Sequence, residues 1–140
     1  MTKEIVFTDN AVPPLSRVFG LIMTMFRSAQ AVISKGHVYV SGNIGCTTDF
    51  MIVEGGVQGQ TYAALQNIGK VLEAAGSGLQ HVVKANIYLT NMSRDFIDMN
   101  TVYKEFFNAG AMPARTCIGV DSLPLGACVE IECMAEVPEI

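Results

Sequence analysis

One uninterrupted helical pattern occupies the centre of the chain and constrains what can surround it. Between Gly55-Gly56 and Gly76, apolar residues recur at spacings of three, four and seven (Ala64, Leu65, Ile68, Val71, Leu72, Ala75), which draws a single stripe along one helix. Gly76 suits its end, because glycine takes the left-handed backbone that closes many helices. Such a stripe has to be buried, and the neighbouring segments offer a sheet. Residues 81–89 alternate, with Val83, Ala85, Ile87 and Leu89 expected on one face. A second helical pattern follows, with Ser93 expected as N-cap, Phe96, Met99, Tyr103 and Phe106 at helical spacing, and Gly110 and Pro113 at its end. Residues 114–120 and 128–137 read as the last two strands. Upstream, residues 3–7 predict a short strand and the consecutive prolines 13 and 14 a break. Residues 28–33 and 37–42 predict two more strands around a turn at 34–36. The order of strands, helix, strand, helix and two strands predicts an α+β fold, a mixed sheet with two helices packed on one face.

Composition says what that fold has to hide. The chain has 140 residues, enough for a single domain with its own core, expected to span residues 1–140. Half of it is hydrophobic and only 16% is charged, with a mean hydropathy of +0.35. Ordinary soluble domains carry about 25% charged residues. The shortfall predicts surface buried against other subunits. Net charge is −4, and the nine lysines and arginines are scattered singly, without the basic stripe that nucleic-acid binding requires. The N-terminus lacks the order of a signal peptide, and the most apolar stretch, residues 18–26, is far shorter than the roughly 20 residues of a membrane span. The expectation is a protein without a membrane partner, cytoplasmic, with mitochondrial residence left open. Cys46, Cys117, Cys128 and Cys133 form no CxxC pair and read as reduced thiols.

Several kinds of chemistry have no signature here. There is no Gly-x-Ser-x-Gly elbow, His37 and His81 stand apart so no metal is expected, and no GxGxxG or P-loop calls for a nucleotide cofactor. What remains is on the face of the sheet away from the helices. Alternation is expected to group Tyr39 with Ser41, Lys84 with Asn86 and Tyr88, Arg115 with Cys117, and Glu130 with Glu132 on that face. The planar fork of Arg115 can hold a carboxylate through two charge-assisted bonds, and one of the glutamates can orient a water. An ordinary solvated face is the competing reading. Cross-strand register is open, so the pattern does not say which glutamate accompanies Arg115.

A resemblance adds to this. Met112-Pro113-Ala114-Arg115-Thr116-Cys117-Ile118-Gly119-Val120, then Leu123-Pro124 and Val129-Glu130-Ile131-Glu132, closely resembles the C-terminal signature of the RidA (YjgF) family. Val38-Tyr39-Val40-Ser41-Gly42-Asn43-Ile44-Gly45, residues 82–89 and residues 99–107 are similar to its earlier segments, so that the likeness runs over about residues 28–137. The resemblance implies a chorismate-mutase-like fold, a homotrimer around a central barrel, and clefts between adjacent subunits. It implies hydrolysis of 2-imino acids (2-iminobutanoate, 2-iminopropanoate) to 2-keto acids and ammonia, without metal or cofactor. It carries the carboxylate-binding arginine onto Arg115, a site-lining cysteine acting mainly through its backbone onto Cys117, and the water-orienting acid onto Glu130. Ser41 and Asn100 fall on cleft-lining positions. The sequence departs from the family in one region. Ser28 stands where a tyrosine is usual, Gln30 then matches, and an apolar insertion occupies about residues 17–27, where Phe26 offers a substitute ring. Two rival functions stand beside it. One is a ligand-binding or chaperone-like trimer, using the Arg115 cleft for keto acids or the Met- and Phe-rich segment for unfolded chains. The other is an endoribonuclease or translation inhibitor, against which the acidic charge and the lack of a basic groove count.

Overall fold

The computed structural model describes residues 3–14, 29–108, 110 and 112–139. The insertion at 17–27, with Phe26, and the substituted Ser28 lie outside them. The described chain forms β1 (Glu4–Val6), β2 (Ala31–Ser34), β3 (His37–Ile44), α1 (Gly56–Ala74), β4 (Val82–Leu89), α2 (Met92–Phe106), β5 (Ala114–Gly119) and β6 (Val129–Glu136). The strands make one mixed six-stranded sheet in the order β1-β2-β3-β6-β4-β5. Only β4 and β5 run parallel, with α2 as the crossover between them; the other neighbours are antiparallel.

Both helices turn their stripes to one face of this sheet. Leu65, Ile68, Val71 and Leu72 of α1 and Met99 and Tyr103 of α2 are buried against Val38, Ala85, Ile87, Leu89, Ile131 and Ala135 of the strands. Each large aliphatic side chain removed from water there contributes about 1.5–3 kcal/mol. Gly76, at φ 79°, takes the left-handed turn beyond α1, and the backbone N–H of Ser77 returns to the Leu72 carbonyl at 2.8 Å. The stripe of α1 is not wholly apolar. Gln60 and Asn67 are buried on it: the Gln60 side-chain oxygen accepts the Cys128 N–H at 2.7 Å, and that of Asn67 accepts the Val12 N–H at 2.6 Å. The Asn67 amide also donates to Asn43 on β3.

Two local expectations need correcting. Asn91, not Ser93, caps α2, its side-chain oxygen accepting the Arg94 N–H at 3.1 Å; Ser93 lies one residue inside the helix and donates to that same oxygen. Both residue types cap well, and the one that reaches the third helical N–H takes the position. Val83 does not share the inner face with Ala85, Ile87 and Leu89. Register slips between Val82 and Lys84 against β6, so Val82 points to the core and Val83 is 40% exposed. A β-bulge of this kind adds one residue and turns the alternation over.

Candidate functional site

The residues singled out from the sequence occupy two places on the chain. Arg115 is on β5, the edge strand, beside Ala85 in the parallel pairing, and Cys117 is beside Ile87. Ala85 and Ile87 are buried under the helices, so Arg115 and Cys117 are on the helix side of the sheet. This corrects the grouping of Arg115 and Cys117 with the polar face of Lys84, Asn86 and Tyr88. Alternation holds within each strand, but the residues of β5 level with Lys84 and Asn86 are Ala114 and Thr116. The Lys84 ammonium accordingly donates to the Thr116 hydroxyl at 2.7 Å.

On the helix side, Arg115 Nη1 donates to Asn100 Oδ1 of α2 at 2.5 Å. Its Cζ lies 4.9 Å from the ring centre of Tyr103 and 5.8 Å from that of Phe96. Among the described residues the one ion pair joins Arg94 to Asp95, so no described carboxylate neutralises Arg115. An open cleft of about 220 Å³ passes this group, lined by Asn100, Tyr103, Lys104, Met112, Pro113 and Arg115. Cys117 Sγ sits 3.9 Å from the Met92 sulfur. Burial pushes its thiol up, which the Arg115 charge only partly offsets. At neutral pH it is a protonated thiol and a poor nucleophile.

The second place is at the bulge in β3. Register shifts between Val40 and Asn43, where Ser41 and Gly42 bend out of the ladder. Ser41 Oγ donates to the Ala29 carbonyl at 2.6 Å, and its N–H to that of Gln30 at 3.0 Å. A cleft of about 280 Å³ opens here, with Val12, Ala29, Ser41, Gly42 and Asn43 in its wall. Glu130, opposite Ile44 on one side and Tyr88 on the other, lays its carboxylate against Gly42. A Cβ on Gly42 would fall 2.8 Å from Glu130 Oε1, so only glycine leaves that carboxylate its place.

The two glutamates of β6 are not equivalent. Glu132 Oε1 accepts from the Tyr88 hydroxyl at 2.5 Å and from the Asn86 amide at 3.2 Å. That hydrogen bond, with burial and the nearby acidic charges, pushes the Tyr88 phenol up to about 12. Glu132 is thus occupied in the sheet. Glu130 makes no side-chain hydrogen bond to a described residue, and burial, then the Glu132 charge, raises its carboxyl above the usual carboxylate value. A half-buried carboxylate with free oxygens and a raised pKa is suited to accept and return a proton.

Within one chain these groups form two separate clusters. Arg115, Asn100 and Cys117 face the helix side at the edge of the sheet; Glu130 faces the open side, with β4 between their strands. The two clefts share no lining residue. Three contributors escaped the sequence reading. Gly42 carried a signal, a glycine inside a strong strand pattern, which often marks a bulge. Phe96 and Tyr103 were visible only as members of a core stripe.

The family model described as endoribonuclease L-PSP matches residues 23–137. The RutC family protein UK114 of Drosophila melanogaster is 39% identical over 136 residues, which cover 96% of this chain and 90% of that one. A protein of Bos taurus named 2-iminobutanoate/2-iminopropanoate deaminase is 41% identical over 108 residues, 76% of this chain and 77% of its own. The crystal structure of Escherichia coli TdcF with bound serine superposes with a TM-score of 0.81 at 29% identity, covering 95% of this chain and 98% of that one.

Proposed function

We propose that this chain, which belongs to the RidA family described in its matching model as endoribonuclease L-PSP, hydrolyses reactive 2-imino acids to 2-keto acids and ammonia. The observation that carries the proposal is Arg115, a partly buried guanidinium at a cleft with one hydrogen bond to protein and no described counter-ion. An uncompensated cation in that setting is costly unless a ligand anion completes it. A 2-imino acid supplies a carboxylate of the right shape for the fork. The name of the bovine relative and the serine bound to TdcF, itself a small carboxylate, support the same ligand class.

The reaction follows from positioning. Arg115 binds the carboxylate and Asn100 fixes the guanidinium. The protonated imine carbon is already electrophilic. Glu130, as carboxylate, accepts a hydrogen bond from a water and takes its proton as the oxygen adds to that carbon. It returns the proton to the nitrogen of the carbinolamine and takes the hydroxyl proton as the C–N bond breaks and the C=O bond forms. The keto acid is released, and that proton passes through solvent to the ammonia, which departs as ammonium and leaves Glu130 a carboxylate again. Cys117, on β5 with Arg115, and Ser41, at the β3 bulge near Glu130, are brought to one cleft only where two subunits meet. Orientation and charge complementarity can supply several kcal/mol without a covalent intermediate.

We read the two clusters, which face opposite sides of one chain's sheet, as half-sites, the complete site being formed when the β5 edge of one subunit meets the Gly42–Glu130 bulge of the next. The family's homotrimer around a central barrel provides that arrangement, the whole chain acting as one domain. Low charge and the exposed Tyr39, Val83 and Ile118 support a covered sheet face. The ribonuclease reading finds no support on this face, where Glu130 and Glu132 stand against a Lys84 already bound to Thr116.

The test is hydrolysis of 2-iminobutanoate, generated in situ by an amino-acid oxidase, comparing the wild-type chain with Arg115→Ala. The variant is expected to lose on the order of 10²-fold in kcat/KM, equivalent to about 3 kcal/mol of charge-assisted binding. Equal rates for the two proteins would end the proposal. A wild type that binds 2-ketobutanoate without turnover would favour the ligand-binding trimer instead.

A further inference from the structure

We propose that Phe96 and Tyr103 are positioning residues that hold the Arg115 guanidinium by its faces and leave its donor edge free for a carboxylate. The inference rests on the carboxylate site described above and names the device that keeps it open.

A guanidinium has two chemically different surfaces. Its N–H bonds lie in the plane, and its faces are weakly hydrated and attracted to aromatic rings. Arg94 and Arg115 are held in opposite ways. Arg94 is fixed through its edge: Nε and Nη2 donate to Asp95 Oδ1 and Oδ2 at 2.8 and 2.9 Å. A fork so occupied has little left for a ligand. Arg115 has the rings of Tyr103 and Phe96 at 4.9 and 5.8 Å, both within the range of about 6 Å over which a cation is drawn to a ring face. Its single hydrogen bond to a described residue is the one from Nη1 to Asn100. The rings therefore stabilise the charge without consuming donors.

The platform is rigid where it has to be. Tyr103 is 2% exposed and lies against Phe107 with ring centres 4.7 Å apart and planes tilted by 37°, while Phe96 packs against the edge of the same core. Phe96, Asn100 and Tyr103 are spaced by four and three, so one face of α2 presents ring, amide and ring in succession. The Tyr103 hydroxyl is buried with no hydrogen-bond partner among the described residues. It is the ring of Tyr103, not its hydroxyl, that meets the guanidinium.

The experiment compares Tyr103→Phe, Tyr103→Leu and Phe96→Leu, measuring binding of 2-ketobutanoate and of 2-ketobutanamide, which lacks the carboxylate, by calorimetry. Tyr103→Leu and Phe96→Leu are expected to weaken the acid about 10-fold, equivalent to about 1.4 kcal/mol, and to leave the amide unchanged. Tyr103→Phe is expected to match the wild type for both and to melt no lower. Loss of structure alone would weaken both ligands together, and Phe96→Leu, at a partly exposed position, carries the test should Tyr103→Leu not fold. Acid binding unchanged in both leucine variants, or lost equally in Tyr103→Phe, would overturn the platform. Failure of the wild type to bind the acid would overturn the carboxylate site and the platform with it.

Discussion

A chain carrying Arg115→Ala keeps the Gly42–Glu130 bulge intact, and a chain carrying Glu130→Gln keeps Arg115, Asn100 and their aromatic neighbours. Each is expected to lose on the order of 10²-fold in kcat/KM alone, since carboxylate binding and proton transfer are each worth at least that much. The placement of Arg115 and Glu130 on opposite faces of one sheet makes a mixture of the two informative. If every cleft takes its arginine from one subunit and its glutamate from the next, random assortment of equal amounts leaves each group intact with a probability of one half. About one quarter of the clefts then hold both, whatever the number of subunits in a closed ring. Co-refolded or co-expressed mixtures should recover about 25% of wild-type kcat/KM, which is about 25-fold above either parent at the residual rate assumed above. The assay is the imine-hydrolysis measurement on mixtures whose subunit exchange has been verified by native mass spectrometry. A mixture no more active than its parents would refute the reasoning, because a site built within one chain always contains one defect.

Three other perturbations have defined outcomes. Because the folded chain raises the Glu130 pKa, its favourable contribution is complete below the ordinary carboxylate value of 4.5 and is lost as pH rises through the raised value. Glu130→Gln should therefore melt higher than wild type near pH 7, with the gap closing below pH 4.5, while wild-type kcat/KM rises with pH through the raised value. Gly42→Ala should displace the Glu130 carboxylate and lower kcat/KM on the order of 10-fold or more, as steady-state kinetics would show beside a preserved circular-dichroism spectrum. Leu72→Ala, at a fully buried position facing the sheet, should cost about 2–5 kcal/mol in urea unfolding.

Periodicity reports what one element does to its own neighbours, and there the sequence was legible. The stripe from Ala64 to Ala75 and the turn at Gly76 are where the spacing places them, as are both helices and the six strands within a few residues. Relations between elements were less visible. Alternation along 114–120 puts Arg115 and Cys117 on a common side but does not say which side, because that depends on the parallel register with β4 set across a long crossover. The bulge at Val82 reverses the alternation just where a regular strand was read. The two glutamates of β6 are indistinguishable in sequence; what separates them is Tyr88 and Asn86, more than forty positions away, which engage Glu132 and leave Glu130. Asn100 and Arg115 came together in the reading only through the family resemblance, since a hydrogen bond across 15 positions has no local signature.

Gln60 and Asn67 have a consequence for how the long helix finds its place. A stripe of alanine, leucine, isoleucine and valine is nearly self-similar under a shift of one turn, so grease alone offers α1 several seatings of comparable depth. The two amides are spaced seven residues, about 10.5 Å, apart and tied to the fixed backbone donors of Cys128 and Val12. Like two dowels in one plank, they admit one alignment and leave any other with buried amides unanswered. The strength of the core comes from its hydrocarbon; its singularity comes from two side chains that a hydropathy plot would score as blemishes.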